Sequence, residues 1–386
     1  MSRTMRFGSG VLSGAILLAT GFAAFAQDGE GFALRATAEE SAAAAAAGTE
    51  AGGKLGSAEL PGGKKIGVML LSGQSASSQR VVAAAEEIAA LLGYEVITCD
   101  PNFDSQKVAQ CATSLVAQKP DIVFSVSQNP GPMGSSLGDA AEQGIVWVGT
   151  VDAVQPAEGL TAYGAPGKVT ATAINTWLFA EMAQRKGADA ELQVMALTAP
   201  TVGIASLEQQ NTLIADAAAA GNVEIVVQHD LDLPNIVQDT LSTTTQTLQQ
   251  YPDLAGTWTV CDFCVPLIAQ AVAAAGVADD KRPVIAGNYT TAQTIADLRA
   301  GNVDGVVDLP WETQVWVGMD QALQKWARGT AVAPGFDVFA SYGQGFMEPY
   351  MITKENVGDS GAAPIFGPDY ESYFKAKWKA EFGVGG

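Results

Sequence analysis

The chain has little positive charge, one histidine and four cysteines. Its 386 residues include 21 Lys and Arg against 41 Asp and Glu. This acidic balance argues against nucleic-acid binding, which needs a basic surface. The single histidine, His229, excludes a metal site built from several histidines and leaves one candidate catalytic base. A lone histidine at the end of a strand is more typical of a structural residue than of a catalytic one.

Motifs for nucleotide binding and for hydrolysis are also missing. The serine-rich stretch "GQSASSQ" (73–79) is not a G-x-S-x-G nucleophile elbow. The glycine-bearing stretch "GSSLGDAAEQG" (134–144) lacks both the dinucleotide-binding fingerprint and the P-loop lysine. The sequence therefore predicts that the protein is not an enzyme and needs no cofactor or metal.

The N-terminus has the three parts of a secretory signal peptide. Arg3 and Arg6 provide a positive start, residues 11–23 are mostly apolar, and Ala24-Phe25-Ala26 resembles a cleavage site. The apolar stretch is short for a membrane span. We expect a signal peptide over 1–26, cleavage near Ala26, location in the periplasm and no membrane insertion after cleavage.

Residues 27–63 are rich in alanine and glycine and poor in aromatic residues. This composition offers too little apolar surface for packing and favours a flexible leader. A fraying alanine-rich helix over 39–47 is the alternative.

From Lys65 onward, short apolar runs alternate with runs of helical period. "KIGVMLLSG" (65–73) indicates a buried strand, and the spacing of apolar residues in 77–93 predicts a helix. The alternation pauses at 152–167 and then resumes up to a strand at 303–309. The last clear helix begins after Pro310, and the tail after Gly329 is irregular until "DYESYFKAKWKAEFG" (369–383). This order predicts parallel sheets covered by helices, in two α/β halves between which the chain crosses near Tyr163.

These segments resemble the type I periplasmic substrate-binding proteins of ABC transporters, of the ribose- and xylose-binding group. The first half is similar in "KIGVMLLSG" and "LGYEVITCDPNFDSQKVAQCATSLVAQKPDIVFSV". The second half is similar in "YPDLAGTWTVCD", "RPVIAGNYTTAQTIADLRAGNVDGVVDLPWE" and "PYMITKEN". The resemblance implies an α/β fold of two Rossmann-like lobes with parallel sheets, joined by a three-segment hinge. The lobes expected are 64–163 plus 309–335, and 164–308 plus part of 336–386.

Ligand contacts are expected just after the strands, because ligands of open α/β sheets lie outside the carboxyl ends of the strands. In the first lobe, Gln74, Ser77 and Ser78 follow the first strand, where the family often has Asn and aromatic residues. Ser77 is alternatively a helix cap. Gln128 follows the third strand, either as an amide contact or as part of a turn. Asp152 follows the fourth strand, where the family commonly has an acidic residue.

In the second lobe the resemblance singles out residues that follow further strands: Gln209, Asn235, Cys261, Asp262, Asn288, Tyr289, Asp308 and Trp311. The arginine that the family often has after a strand has no counterpart in "SLEQQNT" (206–212), which disfavours an anionic ligand. Asn235 is alternatively a helix cap. Trp311 would supply an apolar wall, and its alternative is core packing.

The four cysteines allow three disulfide pairings. The pair Cys261 and Cys264 forms a C-x-x-C motif, but no second motif completes a zinc site. Export from the cytoplasm and an even number of cysteines both indicate structural disulfides. We expect Cys99–Cys111 and Cys261–Cys264, since the two pairs fall in different lobes and bridged Cα atoms lie within ~7 Å. A redox role for the C-x-x-C motif is the alternative.

The resemblance implies a solute-binding protein that captures a small ligand, a sugar or polyol, and delivers it to the permease of an ABC transporter. Asp152 and Asp308 would accept hydrogen bonds from the ligand, and Gln74, Gln209 and Asn288 would orient it. The protein is expected to be a monomer. A sensory protein that presents the same ligand to a membrane receptor is the alternative.

Overall fold

Parallel strands dominate the computed structural model, which describes residues 38–343, 346–358 and 369–384. The described strands form two sheets. The first sheet has the order β2-β1-β3-β4-β5 and is parallel throughout. Its strands are β1 (Lys65–Met69), β2 (Glu95–Cys99), β3 (Ile122–Val126), β4 (Val146–Thr150) and β5 (Leu160–Ala162).

The second sheet has the order β11-β10-β9-β8-β6-β7. The edge strand β11 is antiparallel to β10, and the other pairs are parallel. Its strands are β6 (Leu192–Thr198), β7 (Val223–Asp230), β8 (Gly256–Thr259), β9 (Val284–Asn288), β10 (Gly305–Asp308) and β11 (Tyr350–Thr353).

The helices divide between the two sheets and define two lobes. Those of the first lobe are α1 (Ala38–Leu55), α2 (Ala76–Leu92), α3 (Ser105–Ala117), α4 (Ser136–Glu142), α10 (Trp311–Arg328) and α11 (Tyr370–Phe382). Those of the second lobe are α5 (Gly167–Lys186), α6 (Ile204–Ala220), α7 (Ile236–Gln250), α8 (Cys264–Ala274) and α9 (Ala292–Ala300). The expected α/β fold of two lobes with parallel sheets is therefore confirmed.

The central strands are buried along their whole length because helices cover both faces of each sheet. All five residues of β3 and all five of β4 are buried. Strands of this kind lose the alternation that marks half-exposed strands. Several helices end at a glycine with positive φ, including Gly93 after α2 and Gly329 after α10. Because such glycines commonly end helices, they helped to make the alternation of strands and helices recognisable in the sequence.

The chain crosses between the lobes at three places near their contact. It passes from β5 to α5, from β10 to α10, and from the first lobe to β11. At the first crossing, a Cβ atom on Gly164 would lie 2.0 Å from the carbonyl oxygen of Asp152, so only glycine fits there. α11 then packs on α10 in the first lobe. The chain thus returns once more to the first lobe, beyond the three crossings that the family implies.

The structure corrects the expectation of a flexible leader for residues 38–55. These residues form α1, which packs along α11. A Cβ atom on Gly48 would lie 2.1 Å from the carbonyl oxygen of Tyr373, and one on Gly52 would lie 2.5 Å from that of Lys377. The glycines that suggested flexibility instead permit close helix packing. Residues 1–37, which include the expected signal peptide, lie outside the described residues.

Neither a membrane span nor a metal site is found in the described ranges. No helix there combines the length and apolar character that crossing a bilayer requires. In the same residues, no three or more His, Cys, Asp or Glu side chains are grouped so that they could hold a metal ion.

Candidate functional site

A cavity of about 80 Å³ lies between the lobes, beyond the carboxyl ends of both sheets. Its first-lobe wall follows β1 to β4 and consists of Leu71, Ser75, Ser77, Phe103, Ser127, Val151 and Asp152. Its second-lobe wall follows β6 to β9 and consists of Ala199, Val202, Ser206, Leu231, Leu233, Ile236, Val260, Cys261, Asp262, Phe263 and Tyr289. This is the position that open parallel sheets offer to a ligand.

Asp152 and Tyr289 form a polar centre that joins the lobes across the cavity. The Tyr289 hydroxyl donates to Asp152 Oδ1 at 2.9 Å, and the Ser127 hydroxyl donates to Asp152 Oδ2 at 3.0 Å. Burial raises the pKa of Asp152, although both hydrogen bonds favour its carboxylate form. A carboxylate offers about four lone-pair sites, so Asp152 can accept further donors from a ligand.

Gln209 fixes the Tyr289 hydroxyl from behind. Its Nε2 donates to the Tyr289 oxygen at 3.0 Å and lies 2.9 Å from Thr170 Oγ1. Burial raises the pKa of Tyr289 well above its usual value. Because Gln209 occupies an acceptor site of the phenol, the phenol's proton is directed at Asp152. Gln209 is thus a positioning residue for this polar centre.

Asp262 makes a second contact between the lobes. One carboxylate oxygen accepts from the backbone N–H of Ala76 in the first lobe at 3.1 Å, and the other accepts from Phe263 N at 2.8 Å. The residue is 7% exposed, and burial raises its pKa to about 6. The carboxylate that lines the cavity therefore also holds the lobes together.

Backbone conformations of positive φ are concentrated at the cavity. Phe103, Ser127, Val151 and Tyr289 line it with φ between 49° and 70°. Such values are uncommon for residues other than glycine, and Val151 is β-branched. Gln314 of α10 holds Val151 in place: its Oε1 accepts from the Val151 N–H, and its Nε2 donates to the Val151 carbonyl. Backbone strain of this kind clusters at ligand sites, where the surrounding structure enforces it.

Both expected disulfides, Cys99–Cys111 and Cys261–Cys264, are present. Cys99–Cys111 joins the end of β2 to α3 in the first lobe. In the second lobe, Cys261 lines the cavity and Cys264 is the buried first residue of α8. The second bridge encloses Asp262 and Phe263, so it restrains the loop that contacts the first lobe.

Five of the residues expected from the sequence line the cavity: Ser77, Asp152, Cys261, Asp262 and Tyr289. Ser77 is the second residue of α2, after the N-cap position Ser75, and its hydroxyl bonds to Ser75 Oγ at 2.7 Å. The alternative interpretation of Ser77 as a helix cap is therefore not supported.

Asp308 is not placed on the cavity wall, because the protein itself satisfies its carboxylate. Arg80 Nη1 lies 3.1 Å and 3.0 Å from its two oxygens, and the Thr290 hydroxyl donates to it. Arg80 also binds Glu312 through Nε at 2.6 Å. Asp308 thus belongs to an ion-pair cluster at the crossing from β10 to α10. Sequence reasoning missed Arg80, since it lies inside a helix and not after a strand.

Trp311 and Asn288 are core residues and not wall residues. Trp311 is fully buried and packs edge-on against Tyr289, with ring centroids 4.8 Å apart. Asn288 is also fully buried and donates to the carbonyl oxygen of Thr259 at 2.9 Å. Both support Tyr289 and its loop from behind the cavity.

The other expected contacts also lie off the cavity wall. Gln74 is exposed on the surface. Ser78 accepts from the Leu71 N–H at 3.1 Å, and Gln128 donates to the Leu70 carbonyl at 2.7 Å, so both hold the loop after β1. Asn235 is exposed and bonds to Asp232, without capping α7 through its side chain. Gln209 acts only through Tyr289.

Sequence reasoning missed the nonpolar part of the wall. Leu231, Leu233 and Ile236 follow β7, and Phe103 follows β2. Apolar residues at the end of a strand resemble the buried core that precedes them. The signal that could have identified them is their position after a strand, the criterion that was applied only to polar residues.

Two α/β lobes that enclose a polar centre between the ends of their sheets define a two-lobed ligand-binding protein. The chain belongs to the family described by the periplasmic binding protein domain, whose sequence model matches residues 66–330. No relative with a curated function matches the chain in sequence.

Solved structures share the fold at low sequence identity. A carbohydrate transporter solute-binding protein from Agrobacterium radiobacter, in complex with D-arabinose, is 17% identical with a TM-score of 0.65, over 77% of this chain and 97% of that one. A myo-inositol-binding protein from Caulobacter, bound to myo-inositol, is 19% identical with a TM-score of 0.64, over 77% and 96%. A glycerol-bound ABC transporter solute-binding protein from Mycobacterium smegmatis is 19% identical with a TM-score of 0.64, over 78% and 99%.

Proposed function

We propose that the protein captures a small molecule that bears hydroxyl or amine donors, as sugars and polyols do, between its lobes and delivers it to an ABC importer. The observation that carries this proposal is the carboxylate of Asp152, which faces the cavity with only hydroxyl partners. A buried carboxylate without a cation favours a ligand that donates hydrogen bonds.

The contacts between the lobes support a cleft that opens and closes. Across the cavity they include single hydrogen bonds, such as Ala76 N to Asp262 and Asn129 Nδ2 to the Val202 carbonyl at 2.9 Å. A ligand that bridges the lobes would favour the closed form, and closure would create the surface that an importer recognises. The D-arabinose, myo-inositol and glycerol complexes of similar fold are consistent with this proposal.

Binding without catalysis is part of the proposal. His229 lies outside the cavity, where Nε2 is 2.8 Å from Asp239 Oδ2. In the described structure, the Ser127 hydroxyl is the nucleophilic partner of Asp152, and it donates a hydrogen bond to the Asp152 carboxylate. We propose that the ligand leaves unchanged and that the protein acts as a periplasmic monomer after cleavage near Ala26.

A thermal-shift screen against sugars, polyols and amino compounds tests the proposal, because a ligand of the native state raises the apparent stability. Titration calorimetry with each hit should give one-to-one saturation, and mass spectrometry should recover the ligand unchanged. Turnover of the ligand, or no hit in the whole panel, would contradict the proposal. An uptake assay with the labelled hit distinguishes transport from sensing. If the protein serves transport, cells should take up the compound, and deletion of the protein should abolish that uptake.

A further inference from the structure

The wall of the cavity has a continuous nonpolar part. Leu231, Leu233 and Ile236 face it after β7, and Val260 faces it after β8. Leu231 and Val260 are only 7% and 8% exposed, so they are fixed by the second-lobe core. This part of the wall presents hydrocarbon and no hydrogen-bonding side chain.

The polar groups of the same cavity follow other strands, chiefly β3, β4 and β9. Asp152, Ser127 and Tyr289 form one connected group, and Asp262 reaches the Ala76 N–H beside Ser75 and Ser77. No Lys, Arg, His, Asn or Gln side chain is among the lining residues. The cavity therefore offers carboxylate and hydroxyl groups, and it has no side-chain amide or cation next to Leu231, Leu233 and Ile236 that could pair with ligand oxygens there.

A fully hydroxylated ligand matches this wall poorly. Hydroxyl groups that face Leu231, Leu233 and Ile236 would lose their water without gaining a partner, and an unpaired buried polar group is costly. A hydrocarbon segment in the same place would gain from leaving water. Sites of this kind discriminate strongly against ligands whose polar groups they leave unpaired.

In this conformation of the lobes, the cavity has room for a few carbon atoms. The cavity measures about 80 Å³. Sites for drug-sized molecules measure roughly 300–1,000 Å³. The space is thus suited to a short chain or a small ring.

Resting on the proposed function, we propose that the ligand is a small amphipathic molecule, with a hydrogen-bond-donating head at Asp152 and Tyr289 and a nonpolar body against Leu231, Leu233 and Ile236. The head is a hydroxyl or an amine, since both donate to a carboxylate. The body lacks the hydroxyl groups of a polyol.

A matched series of four-carbon compounds tests this proposal by titration calorimetry: 1,2-butanediol, 1-amino-2-butanol and erythritol. The diol or the amino alcohol should bind at least about tenfold more tightly than erythritol, because each unpaired hydroxyl carries a penalty of about that size. Tighter binding of the amino alcohol would assign an ammonium head, and tighter binding of the diol would assign a neutral one.

The variant Leu233→Asn should reduce the preference for the two amphipathic compounds, since it adds a polar partner to the nonpolar wall. Val237→Asn is the matched control, because Val237 is 50% exposed on α7 and does not line the cavity. The control should keep the wild-type preference.

Erythritol binding as tightly as the diol and the amino alcohol would overturn this inference and leave the proposed function standing. Binding of a sugar or a larger polyol, with no binding of the three compounds, would also overturn this inference and leave the proposed function standing. A preference that survives in Leu233→Asn would also overturn it. If nothing in the wider panel binds, the proposed function fails as well.

Discussion

The two lobes contribute different chemistry to the cavity. The first lobe supplies Ser75, Ser77, Ser127 and Asp152, whereas the wall after β7 in the second lobe is aliphatic. Hydrogen bonds depend on direction, and hydrophobic contact does not. The first lobe is therefore suited to orient a ligand, and the second to cover it when the lobes close.

The lobes also differ in how their structure is held. In the first lobe, α11 is fixed to α10 by a buried cluster in which Lys377 Nζ lies 2.7 Å from Asp320 and 2.5 Å from Glu381. In the second lobe, Arg185 is 33% exposed and binds Glu181 and Asp304 at the surface. The comparison predicts that the buried Lys377 ion pairs contribute more to stability than the partly exposed Arg185 ion pairs.

The largest effect is expected for Lys377→Met. It removes the cation from buried Asp320 and leaves Glu381 with Arg328 at 3.9 Å, and breaking a buried ion pair costs about 3–5 kcal/mol. The second-lobe control, Arg185→Met, should cost about 0–1 kcal/mol because that pair is partly exposed. Urea unfolding of both variants measures the difference. Equal losses in the free energy of unfolding would show that the ion pairs of the two lobes contribute equally to stability.

Asp152→Ala should lower the affinity for the ligand by about 1.5–3 kcal/mol, since it removes a charged acceptor at the polar centre. The control is Asp308→Ala, which removes a carboxylate that binds Arg80 away from the cavity. It should lower the free energy of unfolding more than it lowers affinity. Calorimetry and urea unfolding of both variants decide the matter, and the reverse outcome would restore Asp308 as the ligand contact.

Gln314→Leu should cost about 1–2 kcal/mol of stability, because it leaves the buried N–H of Val151 without its partner, whereas the Val151 carbonyl keeps the Ala165 N–H. In a Val151→Gly background the loss should be smaller, since glycine adopts positive φ without strain. A double-mutant cycle measures this coupling. Purely additive losses would show that Gln314 does not hold the backbone of Val151.

The smallest effect is a pH dependence from Asp262. Burial raises its pKa from 3.8 to about 6, so the native protein binds more protons than the unfolded chain between these values. The free energy of unfolding of the ligand-free protein should therefore fall as the pH rises through this window. Ligand affinity should rise over the same window if a donor of the ligand favours the carboxylate.

The contribution of Asp262 is the difference between the wild type and Asp262→Asn. Both slopes, for unfolding and for ligand affinity, should be smaller in the variant. Identical pH profiles for the two proteins would show that Asp262 does not titrate in this range.

The lobes could be predicted because their parallel strands are buried on both faces and leave apolar runs such as "DIVFSV". The alternative helix over 39–47 lies within α1, but its full length and its packing could not be predicted, since its partner α11 lies at the other end of the chain. β11 was missed for the same reason, as this four-residue strand is defined by its pairing with β10.

The site was predictable where a polar residue ends a strand and faces the cavity, as Asp152 and Tyr289 do. It was not predictable where another side chain of the protein binds the candidate residue, as Arg80 binds Asp308. Pairing between residues far apart in the sequence decides which carboxylates remain for a ligand.

A crystal structure of the protein with its tightest-binding compound tests the central claim most directly. We expect the ligand between the lobes, with a donor within hydrogen-bond distance of Asp152 and its nonpolar body against Leu231 and Ile236. The described surface also contains a groove of about 1120 Å³ on the second lobe, lined by Trp177, Met351 and others. A ligand found in that groove, with the cavity between the lobes empty, would contradict the account.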